Sequence, residues 1–227
     1  PELLTIKAQR LIATADVILY DYLVHPSLLT STKAELICVG KKKGEHSKKQ
    51  SEIHDLLKAH AMQGKAVLRL KGGDPMIFGR VGEEMHFLRD HQIPYELVPG
   101  VSSASAVPAY AGIPVTHRDL SRSVAFVTGT LSTGEATLES DIPEADTLVI
   151  LMSVTHLETI VEQLKRHQRF HDKTPVALIY SGTTADQKTL FADLETIVDK
   201  QKHAQFQTPS LLVVGEVVSL SDTLSWI

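Results

Sequence analysis

The sequence predicts a two-domain α/β fold, with a mainly parallel sheet in the first domain and a mixed sheet in the second. In the first half, short apolar runs alternate with amphipathic stretches, and strands that alternate with helices form crossover units and parallel sheets. A second alternating block begins near Ser123, and we expect some antiparallel pairing among its last strands. The polar segment 114–121 separates the blocks, so we predict domains at 1–118 and 119–227.

The elements of the first domain follow from its apolar spacing. Its predicted strands are residues 16–20, 66–70 and 95–98. Its predicted helices are residues 3–11, 53–61, 83–91 and 102–111. A capping box at 47–50 precedes the second helix, and Gly64 ends it. The loop 72–75 directly follows a strand, and open parallel sheets bind ligands at the carboxyl ends of their strands. We therefore expect a site at this loop.

The second domain is predicted to contain four strands and a helix. Its predicted strands are residues 124–128, 147–151, 175–179 and 210–214, and its predicted helix is residues 156–166. The strands are short apolar runs rich in β-branched residues, whereas the helix has apolar positions at helical spacing.

Composition and charge argue against several classes of protein. Of the 227 residues, 43% are hydrophobic and 22% are charged, and the net charge is -4. A general nucleic-acid binder would be basic, whereas an anionic small substrate needs only a local basic cluster. Cys38 is the single cysteine, so the sequence predicts a cytoplasmic protein without disulfides. The apolar runs are too short to span a membrane, and no histidine cluster has metal-ligand spacing.

The segment 69–84 carries the strongest functional pattern. Its paired glycines allow a ligand to approach the backbone closely, and Asp74 is able to accept hydrogen bonds from a ligand. Gly79 and Gly82 flank Arg80 and leave room for its guanidinium. A plain strand-to-helix turn with a capping aspartate explains the Gly-Gly-Asp part. It does not explain four glycines with an arginine and glutamate set at one strand end.

Three other stretches are weaker candidates. Residues 98–118 contain a glycine turn, two serines that suit a helix N-cap, and an arginine on a loop. Residues 39–46 form a lysine run between glycines, which suits either a solvated face or carboxylate recognition. Asp21 follows the first strand, where either a turn aspartate or a ligand contact is expected.

Taken together, these motifs resemble the tetrapyrrole methylases over nearly the whole chain. The matching stretches, in order, are residues 20–24, 39–46, 71–84, 98–118 and 208–217. The resemblance implies a homodimer that binds S-adenosylmethionine in a cleft between its two domains. It implies transfer of methyl groups to C2 and C7 of uroporphyrinogen III, giving precorrin-2 and S-adenosylhomocysteine. The family pattern starts with a strand and a Gly-rich loop ahead of Pro1, so both are expected to be missing from this sequence.

The resemblance also assigns roles to individual residues. Cofactor contacts are implied for Gly72, Gly73, Asp74, Ile77, Ser102, Ser103, Met152, Ala177 and Gly182. Asp21 and Lys41 match the proton acceptor and donor, and Arg80, Glu83 and Arg118 match residues that hold or deprotonate the substrate. A guanidinium keeps its proton in proteins, so we predict that Arg80 and Arg118 clamp substrate carboxylates. Two alternatives stay open: a methylase of the same fold with another substrate, and a non-catalytic protein that binds a tetrapyrrole or the cofactor.

Overall fold

The computed structural model describes residues 1–40, 49–130 and 142–226 and divides the chain into two compact units. The first unit is Pro1–Ser102 and the second is Ser103–Ile227. Each has its own sheet and its own helices.

The first unit contains a three-stranded parallel sheet. Its strands are β1 (Val17–Tyr20), β2 (Glu35–Cys38) and β3 (Val67–Leu70), in the order β2-β1-β3. Its helices are α1 (Ile6–Thr14), α2 (Gln50–Ala61) and α3 (Val81–Asp90), with a 3₁₀ helix at Pro26–Leu29. Since β1 pairs in parallel with both neighbours, and Tyr20 lies opposite Leu70, the ends of β1 and β3 meet at one edge. The predicted parallel sheet is confirmed.

Apolar side chains alternate between the two faces of β1 and bury both. Val17 and Leu19 pack with Ile53 and Leu57 of α2 in one cluster, which Leu88 of α3 borders. On the opposite face, Ile18 packs with Ile12 of α1, Val24 and Leu70 in a second cluster. The central strand is therefore fully covered, which is the usual state of a parallel sheet.

The second unit contains a five-stranded mixed sheet. Its strands are β4 (Val124–Thr128), β5 (Thr147–Leu151), β6 (Pro175–Tyr180), β7 (Lys188–Asp193) and β8 (Ser210–Val214). The order is β4-β5-β8-β6-β7, with β4 and β5 parallel and all other pairs antiparallel. The predicted mixed sheet is therefore also confirmed.

The helices of the second unit pack on both faces of this sheet. They are α4 (Ser103–Tyr110), α5 (Leu157–Arg166), α6 (Ile197–Ala204) and α7 (Ser221–Leu224), with 3₁₀ helices at Val154–His156 and Glu216–Leu220. Leu164 of α5 and Ile197 of α6 lie in a cluster on one face. Ala104 and Val107 of α4 lie in the cluster on the other face.

The division between the units differs from the predicted one. We predicted a boundary after Arg118, whereas the compact units divide after Ser102. The reason is that Val107, Ala111 and Ile113 are buried against the second sheet, so α4 and the segment that follows it pack with the second unit.

One predicted strand is wrong, and four of the α-helices and strands were not predicted. Residues 95–98 form no strand. Pro94 and Pro99 bracket the run and remove the two backbone donors that would extend a ladder. The α-helices and strands without a prediction are β2, β7, α6 and α7. Of these, β2 and α7 have only four residues, and the apolar run of β7 is only three residues long. Within the three described ranges, no helix is long and apolar enough to cross a membrane.

Asp146 holds together the N-terminal ends of two strands of the second unit. Its Oδ2 accepts hydrogen bonds from the backbone N–H groups of Arg122 (2.8 Å) and Ser123 (3.1 Å) and from the Ser123 hydroxyl (3.0 Å). Its Oδ1 pairs with Arg169. These bonds, led by that from the Arg122 backbone, lower the pKa of the Asp146 carboxyl. The carboxylate thus joins the starts of β4 and β5.

We expect Asp146→Asn to lower the free energy of unfolding by about 1–3 kcal/mol at neutral pH, because bonds to an ionised acceptor are lost. The folded-state pKa lies below the unfolded value of 3.8, so this stabilisation is present above about pH 3.8 and is lost as pH falls through the folded pKa. Urea denaturation between pH 3 and pH 7 measures it. The exposed Asp186→Asn is the control; a pH-independent difference between the two variants would contradict the prediction.

Candidate active site

The candidate site of the first unit begins where β1 and β3 end. Asp21 follows β1 directly and Lys71 follows β3 directly, and the Asp21 N–H donates to the Leu70 carbonyl at 3.2 Å. Parallel pairing therefore brings both charged residues to the same edge of the sheet. The predicted position of Asp21 at a strand end agrees with this geometry.

A buried group of charges connects these strand ends with α3. Arg69 Nη2 donates to Asp21 Oδ1 at 2.5 Å, and Arg69 Nε donates to Glu84 Oε1 at 3.2 Å. Lys71 Nζ lies 3.1 Å from the same Glu84 oxygen, which also accepts from Gln50 at 3.2 Å. The side chains of Arg69, Lys71 and Glu84 are 12%, 8% and 3% exposed. Two cations and two carboxylates balance, so no charge of this set is left uncompensated.

Sequence reasoning did not assign a role to Arg69, Lys71 or Glu84. A signal was present, because a strand that is otherwise apolar ends in Arg-Leu-Lys, and alternate residues of a strand share a face. Their partners are Asp21, 48 positions before Arg69, and Glu84. Only the register of the two strands identifies that pairing.

The glycine loop after β3 is held by a carboxylate. Asp74 Oδ1 accepts from the Met76 N–H at 2.8 Å, and Asp74 Oδ2 accepts from the Gly100 N–H at 2.9 Å. Each oxygen therefore binds one backbone N–H, and since a carboxylate accepts about four hydrogen bonds, the ligand contact of Asp74 stays a prediction. Asp74 ties the 72–75 loop to the turn at Gly100.

The two loops also touch through their backbones. A Cβ on Gly100 would lie 2.4 Å from the Gly73 carbonyl oxygen, so only glycine allows this approach. Gly73 itself has φ +79°, a left-handed conformation that favours glycine. Gly72 and Gly73 are exposed, whereas Ile77 is half-buried and donates its N–H to the Asp74 carbonyl at 3.2 Å. The loop thus presents bare backbone in a fixed shape, which suits close contact with a ligand.

Arg80 and Glu83 form a bidentate pair at the start of α3. Arg80 Nε and Nη2 donate to the two oxygens of Glu83, each at 2.8 Å, and both side chains are more than half exposed. The hydrogen bond to Glu83 raises the pKa of Arg80 further, and the same bond lowers the pKa of Glu83. Glu83 therefore remains a carboxylate and Arg80 a cation, which opposes a role as base for the arginine.

Arg80 sits in a strained backbone conformation. Its φ is +56°, and Phe78, two residues earlier, has φ +52°. Left-handed positions that do not hold glycine cost of order 1 kcal/mol and cluster at functional sites. Glycine would adopt this conformation with less strain. The presence of arginine at position 80 therefore indicates that its guanidinium has a function.

The predicted contacts of the second unit lie in different environments. Met152 follows β5, is 46% exposed and has φ +56°. Gly182 follows β6, and a Cβ there would lie 2.3 Å from the Val107 side chain, so glycine permits the approach of α4. Ala177, by contrast, lies inside β6, and its side chain is fully buried in a core cluster, so its predicted contact stays a prediction.

The remaining predicted residues are Ser102, Ser103, Arg118 and Lys41. Ser103 is the first residue of α4, and Ser102 precedes it at the end of the first unit. Arg118 is exposed on the turn between His117 and Ser121, whose backbones form a bridge. Lys41 lies outside the described residues, as does nearly all of the predicted lysine loop.

Comparison with known proteins agrees with the sequence resemblance. The family model of the tetrapyrrole (corrin/porphyrin) methylases matches residues 1–198. The uroporphyrinogen-III C-methyltransferase of Methanocaldococcus jannaschii is 48% identical over 98% of this chain and 94% of its own length. The siroheme synthase of Pseudomonas aeruginosa is also 48% identical, over the whole of this chain. This chain spans only 49% of that relative's length.

Solved structures give the same result. A uroporphyrin-III C-methyl transferase from Thermus thermophilus, complexed with S-adenyl homocysteine, has a TM-score of 0.85 and 40% identity, covering 97% of this chain and 94% of that chain. A cobalt precorrin-4 methyltransferase involved in cobalamin biosynthesis has a TM-score of 0.80 and 25% identity, covering 96% of this chain and 91% of that chain.

Gly100→Ala should destabilise the protein by about 1–3 kcal/mol, because its methyl group meets the Gly73 backbone and neither loop is able to move without breaking the Asp74 bonds. Guanidinium denaturation measures the change. Gly82→Ala is the matched control, since a Cβ there meets nothing within 4 Å and lies in α3. Alanine in a helix should be neutral or stabilise by up to about 1 kcal/mol. Equal stability of the two variants would refute the close approach of the loops.

Proposed function

The chain belongs to the tetrapyrrole methylase family, and on that premise we propose that it methylates C2 and C7 of uroporphyrinogen III with S-adenosylmethionine. The products are precorrin-2 and S-adenosylhomocysteine, and precorrin-2 serves siroheme and cobalamin biosynthesis. The observation that carries the proposal is 48% identity, across almost the full length of both proteins, to a uroporphyrinogen-III C-methyltransferase. The corrin-precursor enzyme is less similar, at 25% identity.

The glycine loop is suited to hold the cofactor. Gly72 and Gly73 expose backbone without side chains, and the Asp74 carboxylate keeps the loop in shape. When bound, S-adenosylmethionine supplies an electrophilic methyl group on a sulfonium, whose sulfur leaves as a neutral thioether. We place further cofactor contacts at Ile77, Ser102, Ser103, Met152 and Gly182. Ala177, whose side chain is fully buried in β6, stays a proposed contact of the same kind.

Charged residues of the chain are suited to a substrate with many carboxylates. Arg80 uses two N–H groups for Glu83, and the rest of its five donors remain for a substrate carboxylate. Arg118 is an exposed cation on a turn of the second unit. We assign both to the acetate and propionate groups, with Glu83 holding Arg80 in place. A mildly acidic chain is in this way able to bind a polyanion through a few fixed cations.

Methylation of the pyrrole carbon forms a C–C bond, and a proton must then leave the ring system. Arg80 is not a suitable acceptor, because its pKa is raised by Glu83. Asp21 is the better candidate, since its carboxylate lies at the strand end, is 30% exposed and is bound on one oxygen by Arg69. We assign proton acceptance to Asp21 and keep Lys41 as the proposed proton donor.

The assembly and compartment are also proposals. We propose a homodimer in the cytoplasm, supported by the family resemblance and by the single cysteine. The proposal covers methylation only, because the siroheme synthases are about twice as long as this chain.

The protein should convert uroporphyrinogen III, under anaerobic conditions with S-adenosylmethionine, into a product that carries two additional methyl groups. Mass spectrometry and absorbance identify the product, and S-adenosylhomocysteine release gives the stoichiometry. The control omits S-adenosylmethionine. Methylation of a later corrin precursor but not of uroporphyrinogen III would favour a methylase of the same fold with another substrate. Binding of the tetrapyrrole or the cofactor without turnover would favour a non-catalytic binding protein.

Arg80→Lys should raise KM for uroporphyrinogen III about tenfold or more, because a lysine replaces the planar fork by a single point charge. The affinity for S-adenosylhomocysteine, measured by calorimetry, should not change. Arg89→Lys, on the exposed face of the same helix, is the matched control. If Arg80→Lys leaves both KM and turnover at the wild-type values, the clamp role is wrong.

A further inference from the structure

We propose that Glu84 and Arg69 are positioning residues for the reaction, which act through Asp21. The inference rests on the proposed function, in which Asp21 accepts the proton. Neither Glu84 nor Arg69 needs to touch the substrate, because both are almost fully buried. Their bonds instead determine where the Asp21 carboxylate points.

The guanidinium of Arg69 is held on every side. Its Nη1 donates to the carbonyls of Leu70 (3.1 Å) and Leu19 (3.4 Å), which belong to β3 and β1. Its Nε binds Glu84 and its Nη2 binds Asp21. A planar group with three fixed partners has no freedom to rotate, so its fourth contact, the one with Asp21, is fixed as well.

Glu84 is the anchor of this arrangement. Its Oε1 accepts from Arg69, Lys71 and Gln50, which come from β3, the following loop and α2. Without this charge, Lys71 would lose its one described ion pair, and Arg69 would keep Asp21 as its one described carboxylate partner. The guanidinium of Arg69 would then be free to shift, and the Asp21 carboxylate bound to it would leave its position for proton transfer.

Stability alone does not account for such a group. Buried ion pairs are often no more stabilising than apolar residues of similar size. This group moreover lies at the carboxyl end of the sheet, where ligands bind, and ends on Asp21, its most exposed member at 30%. Asp21 Oδ1 is occupied by Arg69, and the partial exposure of the side chain leaves the carboxylate accessible.

The test is a double-mutant cycle between Glu84→Gln and Asp21→Asn, with Arg69→Lys as a second probe that keeps the charge. Glu84→Gln and Arg69→Lys should each lower kcat by about 10- to 100-fold, because a displaced catalytic group loses that much rate. KM for uroporphyrinogen III and the Kd for S-adenosylhomocysteine should stay within about twofold of wild type. In the Asp21→Asn background, neither change should lower kcat further.

Glu96→Gln is the matched control, because it removes an exposed carboxylate that pairs with Lys7 in the same unit. It should leave kcat unchanged. Thermal unfolding reports whether each variant is folded; if Glu84→Gln does not fold, Arg69→Lys alone decides. Equal loss of kcat in the wild-type and Asp21→Asn backgrounds would overturn the positioning role. A kcat equal to that of the wild type in a folded Arg69→Lys variant would also overturn the positioning role. If the wild-type protein methylates no uroporphyrinogen III, the proposed function fails and this inference with it.

Discussion

The structure of the first unit depends on the contacts of one guanidinium. Arg69 binds the carbonyl groups at the ends of β1 and β3, the carboxylate of Asp21 and, through Glu84, the first turns of α3. The segment between Lys71 and Glu84 starts and ends on the same charge group. Both ends of the segment that contains the glycine loop and Arg80 are therefore held by the buried ion pair of Lys71 and Glu84.

Several residues with positive φ lie near the predicted site residues of both units. Phe78 and Arg80 have positive φ just before α3, Met152 has it directly after β5, and Ser181 and Thr183 have it after β6. Gln92 and Gln205 have it where α3 and α6 end, which is a common helix C-terminus. A left-handed conformation is unfavourable for any residue with a side chain. These residues therefore lower the stability of the fold relative to glycine at the same positions. The family resemblance assigns Arg80 to the substrate and Met152 to the cofactor, which agrees with that reading.

The sequence predicted the sheets but not the contacts that shape the site. Apolar runs of β1 and β3 have a simple pattern, because a strand buried on both faces is almost continuously apolar. The false strand at 95–98 has the same pattern, and its flanking prolines were the overlooked signal. Asp74 was predicted to accept bonds from a ligand, but its bond to the Gly100 backbone, 26 positions away, was not predicted. Such a partner is set by loop geometry that no local spacing encodes.

Two carboxylates of α3 take different roles because of their burial. Glu83 is exposed, and the hydrogen bond from Arg80 lowers its pKa, so it holds a cation at the surface. Glu84, the next residue, points inward, is 3% exposed and binds two cations at the sheet edge. Successive helix residues face about 100° apart, so one helix turn supports both the clamp and the group that holds Asp21. A single rotation of α3 would disturb both, which explains why the helix is anchored through its buried carboxylate.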